Sequence, residues 1–263
     1  MKLKSWTLSC LTALMFAGCA VPQPQNTPVQ QEFEINPVTG KGYFIYVPSS
    51  YRHDRPMPLI ITCHGTWPYD IADMHIREWK MLGEQKGCII VAPELVATDG
   101  IFGDGPLPGM QADERYILTI IGALGYRYNI DRNNIMITGF SGGGFPTYWI
   151  GLRNPDVFSV VVARNCNFSE NNLDGWYAPE AQQARIMVYY GEADPAAIVL
   201  QSRAALDYFQ RKGFHVSSTV IPNAGHERHP EVAMQFFLEN MRPPRSSLPG
   251  STDKKQLASA GDR

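Results

Sequence analysis

An excess of positive charge is missing from this sequence. Its 263 residues carry 23 Lys and Arg against 25 Asp and Glu, a formal net charge of -2, so no basic face awaits a polyanion, which argues against a nucleic-acid partner. Cysteine is scarce. Of five in all, Cys10 and Cys19 fall in the N-terminal leader. The remaining Cys63, Cys88 and Cys166 are an odd number that admits at most one disulfide, which rules out a disulfide-stapled scaffold. Internal repeats are absent. What is present is 44% hydrophobic and 18% charged composition, enough to build one globular core of ordinary size.

The leader reads as a targeting signal. Lys2 and Lys4 precede an apolar stretch over residues 6–17 that is too short to span a bilayer. It ends in Phe16-Ala17-Gly18-Cys19, which resembles the bacterial lipobox, with Phe16 in place of the usual Leu. That resemblance implies cleavage before Cys19 and lipidation of Cys19. Ala20, not being Asp, implies an outer-membrane destination; simple secretion with cleavage near Ala20 is the alternative. Membrane contact is therefore expected only through a lipid on Cys19. Residues 20–31, rich in Pro and Gln, read as a flexible linker. Residues 243–263 hold Pro, Ser, Gly and charge without a periodic apolar face, and read as a disordered tail. The catalytic domain is expected over residues 32–242.

Inside that domain, short apolar runs alternate with helical stretches. Strands are expected near Phe33 and over 42–47, 58–63, 88–92, 135–138, 157–163, 186–190 and 216–220. Helices are expected over 75–85, 113–124, 145–153, 196–212 and 230–240. The runs at 58–63, 88–92 and 135–138 lack polar alternation, as strands buried on both faces do. Strand and helix in alternation predict a mostly parallel twisted sheet with helices on both faces. Functional loops then lie at the carboxyl ends of the strands.

Chemistry-bearing residues fall at those ends. Gly139-Phe140-Ser141-Gly142-Gly143 matches G-x-S-x-G between a predicted strand and a predicted helix, where the tight turn lifts a serine hydroxyl above the sheet. A glycine-rich phosphate cradle is the competing reading. A serine nucleophile needs a base and a carboxylate, in the chain order Ser, acid, His for this arrangement. Asp194 follows the strand 186–190 and is the expected acid; Glu192 is its fallback, and a helix N-cap is the structural role Asp194 could have instead. His226 follows the strand 216–220 and is the expected base. His229 is an alternative three residues on, His215 reads as structural, and a metal site at His226, Glu227 and His229 lacks further ligands. No cofactor is implied.

Backbone N–H groups must stabilise the oxyanion. Gly142 follows the nucleophile, and Thr66 follows the His64-Gly65 turn after the strand 58–63, so these two are the expected donors, with His64 bracing the loop. The insertion at 165–184 is too short for a large lid. Trp67, Trp176 and Tyr177 are candidates for a substrate pocket, with Pro68, Tyr69 and Phe102 nearby; ordinary packing is the alternative for each. Arg164 and Asn165 also end a strand on the functional edge, where Arg164 could meet a carboxylate of substrate or of the protein.

Over residues 33–241 the chain resembles the α/β-hydrolase superfamily, in particular the esterase branch of poly(3-hydroxybutyrate) depolymerase-like and feruloyl-esterase-like proteins. The residues carrying this are Tyr46-Val47-Pro48, His64-Gly65, Ile130-Asp131-Arg132 with Ser141 nine residues on, Gly225-His226, and Asp113 near the helix before the elbow. Thr66, where many depolymerase-like members have Cys, and Phe140 depart from the pattern. The resemblance implies hydrolysis of a small or polymeric carboxylic ester without a cofactor. A peptidase or acyltransferase with the same triad, and a non-catalytic binding lipoprotein on the same scaffold, are the rival readings.

Overall fold

The computed structural model describes residues 31–98, 105 and 107–248. The signal segment with Cys19, most of the linker, Phe102 and residues 249–263 lie outside them. Eight strands form one sheet: β1 (Glu32–Ile35), β2 (Gly42–Tyr46), β3 (Met57–Cys63), β4 (Ile89–Pro93), β5 (Ile130–Phe140), β6 (Val160–Arg164), β7 (Arg185–Gly191) and β8 (Val216–Ile221). Their order is β1-β2-β4-β3-β5-β6-β7-β8. β2 runs antiparallel to both β1 and β4, and every other pairing is parallel. Four helices connect strands, α1 (Ala72–Lys86), α2 (Leu107–Arg127), α3 (Gly144–Arg153) and α4 (Ala196–Arg211), and α5 (Pro230–Glu239) follows β8.

Side chains alternate across the pleat, so each strand feeds two cores. Leu59, Ile61, Ile137, Val161 and Val188 meet Ile117 and Ile120 of α2, Trp149 of α3 and Phe209 of α4. Ile60, Met136, Val160, Val162 and Tyr189 meet Ile76 and Trp79 of α1 and Phe237 of α5 on the opposite face. Burial on both faces is why these strands read as unbroken apolar runs. The register brings the carboxyl ends into line: Cys63 pairs with Gly139, Phe140 with Arg164, Arg164 with Tyr189, and Gly191 with Ile221.

Two elements are longer than their sequence pattern predicts. α2 begins at Leu107, six residues before the expected start, because Met110 extends its buried stripe of Ile117, Ile120 and Leu124 and Pro108 fits a first turn. β5 begins at Ile130 and passes through Asp131 and Arg132, with a register shift opposite Met57–Leu59. Residues 243–248, expected as the start of a disordered tail, are instead hydrogen-bonded to the domain, with Ser247 buried. Ser246 bridges Asp131, Arg245 N–H donates to Asp131 Oδ1 at 2.7 Å, and Ser247 Oγ accepts from Ile130 N–H at 2.8 Å. Polar side chains substitute here for the apolar periodicity that usually marks an ordered segment. Among the described residues no helix is long and apolar enough to cross a membrane.

Candidate active site

β5 ends at Phe140 and the chain reverses through a single 3-10 turn, Ser141–Gly143, into α3. Ser141 holds φ at 52°, a left-handed conformation that costs a non-glycine residue about 1–3 kcal/mol and persists only where its surroundings enforce it. Here Ser141 N–H donates to Asn165 O at 3.1 Å and Ser141 O accepts from Asn167 N–H at 2.9 Å. The flanking glycines are sterically required. A Cβ on Gly139 would stand 2.3 Å from Gly143 O, and one on Gly143 2.5 Å from His64 O. The hydroxyl is thus raised on a strained turn at the amino end of a helix, whose dipole favours negative charge there.

Asp194 lies in the loop after β7 with its side chain fully buried, and its Oδ1 stands 2.7 Å from His226 Nδ1. Its Oδ2 accepts from Asn165 Nδ2 and, at 3.3 Å, from Gly191 N–H. α4 receives no side-chain cap, so the carboxylate serves the histidine and not the helix. Glu192 instead accepts from Asn223 N–H at 3.0 Å on the surface. His226 stands in the loop after β8, its ring stacked on Phe140 with centroids 4.6 Å apart. His229 sits at φ 41° beside Glu227 and Glu231 and does not border the cavity described next. His215, directly before β8, accepts Ile186 N–H through its backbone. Among the described residues no group of His, Cys, Asp and Glu is placed to hold a metal.

A cavity of about 720 Å³ joins these loops, bordered by Thr66, Phe140, Ser141, Ile198, His226 and Arg228. Thr66 follows β3; its hydroxyl donates to Thr98 O at 3.0 Å, and its carbonyl accepts from Tyr69 and Asp70 N–H. Gly142 backs directly onto this loop, since a Cβ there would stand 2.6 Å from Thr66 Oγ1. His64 is buried and braces the turn. Its Nδ1 pairs with Gly65 O at 2.8 Å and its Nε2 accepts Leu95 N–H at 3.0 Å.

The expected aromatic pocket is not where the sequence suggested. Trp176 packs on Trp149 with centroids 5.7 Å apart, and Tyr177 on Phe214 at 5.2 Å. The loop carrying them docks onto the carboxyl end of α3, where Ala178 N–H reaches Leu152 O. α3 begins at the Ser141 turn, so its far end points away from the cavity. Trp67 is 65% exposed and lies outside the cavity wall, whereas Tyr69 borders it.

Sequence reasoning missed a buried polar network on the α1/α5 face. Arg164 is wholly buried. It donates to Thr138 Oγ1 at 3.1 Å, Glu78 Oε1 at 2.7 Å and Thr62 Oγ1 at 3.2 Å. The Thr62 hydroxyl meets His75 Nδ1 at 2.8 Å, and His75 Nε2 meets Asp70 Oδ2 at 2.7 Å. Burial pushes the His75 imidazole down to about 4, so at neutral pH the ring is uncharged and donates from Nε2 to Asp70. Burial alone would raise the Asp70 carboxyl, yet the hydrogen bonds from His75 and Gly65 N–H and the charge of Arg228 hold it well below the usual carboxylate range. Glu78, by contrast, is raised by burial despite Arg164 and Arg228. The one available signal was period two: Thr62, Thr138 and Arg164 lie near the carboxyl ends of three neighbouring strands on one face.

Asp113, singled out by resemblance, is buried in α2. It accepts Val96 and Ala97 N–H at 3.0 and 2.9 Å and the Lys41 ammonium at 3.1 Å, pinning the loop after β4. Cys63, Cys88 and Cys166 are free and buried. Burial pushes each thiol up to about 12, so none supplies a thiolate at neutral pH.

A mostly parallel sheet in this strand order, with a strained serine after β5, an acid after β7 and a histidine after β8, is an α/β-hydrolase fold. Residues 115–180, which include Ser141 but neither Asp194 nor His226, match the prolyl oligopeptidase family. The chain is 26% identical over 186 residues to a poly(3-hydroxybutyrate) depolymerase of Ralstonia pickettii, a match covering 61% of this chain and 37% of that protein. It therefore spans well under half the length of that curated relative. Among solved structures it is similar to a thermostable esterase, with a TM-score of 0.60, 22% identity and coverage of 82% of this chain and 63% of the other. A ferulic acid esterase from Anaeromyces mucronatus, solved in complex with ferulic acid, gives a TM-score of 0.62, 17% identity and coverage of 81% and 89%.

Proposed function

We propose that the chain is a serine hydrolase that cleaves carboxylic esters through an acyl-enzyme, with Ser141 as nucleophile, His226 as base and Asp194 as orienting acid. The observation that carries this reading is the Asp194–His226 pair at 2.7 Å, whose histidine borders the same cavity as Ser141. Asp194 fixes the proton on Nδ1, leaving Nε2 to take the proton of the Ser141 hydroxyl as Oγ attacks the ester carbonyl carbon. The resulting oxyanion is received by Thr66 and Gly142 N–H. As the C–O bond of the ester breaks, His226 returns the proton to the leaving alkoxide. Water then attacks the acyl-enzyme, again losing a proton to His226. Collapse releases the carboxylic acid and restores the serine hydroxyl.

The apolar groups near the nucleophile, Phe140 and Ile198 among them, suit an acyl chain or an aromatic acid. The relatives' names point to feruloyl or hydroxyalkanoate esters as the first substrates to try. A second reading, peptide hydrolysis by the same residues, is favoured by the match of residues 115–180 to the prolyl oligopeptidase family. We also propose anchoring through a lipid on Cys19, on the strength of the lipobox-like segment; labelled palmitate should enter the wild type and not Cys19→Ala.

The deciding experiment is hydrolysis of p-nitrophenyl acetate, butyrate and octanoate, with a proline anilide and a fluorophosphonate probe in parallel. Turnover and labelling abolished by Ser141→Ala support the assignment, and the ester-to-anilide ratio separates esterase from peptidase. A wild type that neither turns over any of them nor takes the probe returns the chain to a binding scaffold.

A further inference from the structure

Arg228 stands two residues beyond His226 and borders the same cavity, yet the triad does not use it. Its guanidinium reaches across the cavity floor. Nη2 donates to Asp70 Oδ1, Nε faces Glu78 Oε2 at 3.5 Å, and the group lies over the ring of Phe140, 5.2 Å from its centroid. Asp70 belongs to the oxyanion loop. Its other oxygen, Oδ2, accepts Gly65 N–H at 2.6 Å, immediately before Thr66, and His75 Nε2–H at 2.7 Å. One carboxylate therefore joins the loop after β3 to the loop after β8, while the guanidinium touches the residue preceding the nucleophile.

The anchorage beneath is rigid. Glu78 is held by the buried Arg164 at 2.7 Å, and Arg164 is held by the ends of β3 and β5 through Thr62 and Thr138. The backbone of the base loop is tied to the same floor, since Arg228 O accepts from Arg164 Nη1 at 3.3 Å and from the Tyr189 hydroxyl at 3.2 Å. Charge-assisted bonds of this kind are short, directional and poorly screened when buried.

We propose that Arg228 and Asp70 are positioning residues of the reaction: their ion pair sets the Thr66 N–H against the Ser141–His226 couple, so that donor and base meet the developing tetrahedral centre together. The inference rests on the ester-hydrolysis reading. Such a strap acts on the transition state and leaves ground-state binding nearly untouched, because the oxyanion occupies its place only once the tetrahedral centre forms.

The test compares wild type with Asp70→Asn, Arg228→Met, Arg228→Lys and the Asp70→Asn/Arg228→Met double variant on p-nitrophenyl butyrate. Affinity for an alkyl trifluoromethyl ketone, which Ser141 converts to an oxyanion-bearing adduct, and the thermal midpoint are measured alongside. Loss of a whole oxyanion donor costs about 10²–10³ in kcat, so a misaligned one should cost roughly 10–100-fold. KM should stay within about threefold, and ketone affinity should fall in step with kcat/KM. The double variant should be no worse than the poorer single one, as coupled residues are. Arg228→Lys, which keeps the charge without the planar fork, should recover part of the rate.

An unchanged kcat with a raised KM would overturn the proposal and make Arg228 a substrate-binding residue. So would a loss of rate that tracks the thermal midpoint while ketone affinity per folded molecule stays constant, which marks a merely structural pair. Should Asp70→Asn fail to fold, Arg228→Met, at a partly exposed position, decides alone. A wild type inert to both esters and fluorophosphonate removes the triad reading first and this inference with it; an active wild type with indifferent variants removes only the inference.

Discussion

The two faces of the sheet meet the same row of strand ends with opposite materials. Under α2, α3 and α4 the face is hydrocarbon up to the top, where Cys63 and Ala163 are wholly buried among aliphatic and aromatic side chains. Above it the Ser141 turn is built from backbone, with glycine wherever α3 and the loop after β3 press close. Under α1 and α5 the face is equally apolar in its lower part, but Thr62, Thr138 and Arg164 replace hydrocarbon near the carboxyl ends of β3, β5 and β6. One face thus holds the strand-end loops by close packing and the other by a network of buried charged and polar groups. Packing tolerates small changes of shape, whereas a buried charge set tolerates no missing member.

The largest break in that comparison should come from Arg164→Met. It strips Glu78 of its hydrogen-bonded partner in a buried setting and leaves only the more distant Arg228, so a loss of up to about 3–5 kcal/mol in denaturant unfolding is expected. Ile137→Leu, buried at the matching depth on the other face, should cost under about 1.5 kcal/mol. Near-equal costs would show that the network is not a unit. Adding Glu78→Met to Arg164→Met should restore part of the loss, because no unpaired carboxylate then remains.

Gly139→Ala tests the hydrocarbon side. The new Cβ would stand 2.3 Å from Gly143 O, a backbone atom that cannot swing aside, and overpacking of this kind costs about 1–3 kcal/mol or more. Fluorophosphonate labelling should fall with it, because relief of the clash moves the Ser141 turn.

Acid sharpens the contrast further. His75 has a folded pKa of about 4 against the ordinary value near 6.5, so between these limits the unfolded chain binds the extra proton and stability falls as pH drops. Asp70, lowered in the fold, adds to that loss below the ordinary carboxylate range. Glu78, raised by burial, acts in the reverse sense above it. Chemical denaturation from pH 7 to pH 4 should therefore show decreasing stability, and His75→Gln should flatten the slope. An equal slope in the variant would remove His75 as the cause.

The smallest effect is expected at Trp176→Ala. The side chain is 47% exposed on α3's far end, away from the cavity, so kcat/KM for p-nitrophenyl butyrate should change by less than about twofold. A larger change would put the 165–184 loop back beside the substrate.

The fold was readable because burial on both faces turns strands into apolar runs and helices into period 3.6, both local patterns. Ser141, Asp194 and His226 were nameable because each stands in the loop that follows a predicted strand, and the chain order of those loops suits one arrangement. Arg164 shows the limit. A strand-final arginine looks the same in sequence whether it meets solvent, substrate or, as here, Thr138 and Glu78. Trp176 and Tyr177 failed likewise, since an aromatic in a connecting loop carries no record of which end of α3 the loop docks on. Ser247, buried beneath β5, escaped because a polar anchor leaves no apolar period.

Local chemistry along the chain thus determined the alternation of elements, the order of the sheet's functional loops and the residues that end its strands. Tertiary structure alone decided the pairing of Arg228 with Asp70 across 158 residues, the neutrality of His75 and the true walls of the cavity. The physical reason is that periodicity and turn chemistry act over a few residues, while desolvation and ion pairing depend on distances that exist only once the sheet has closed its neighbours around them.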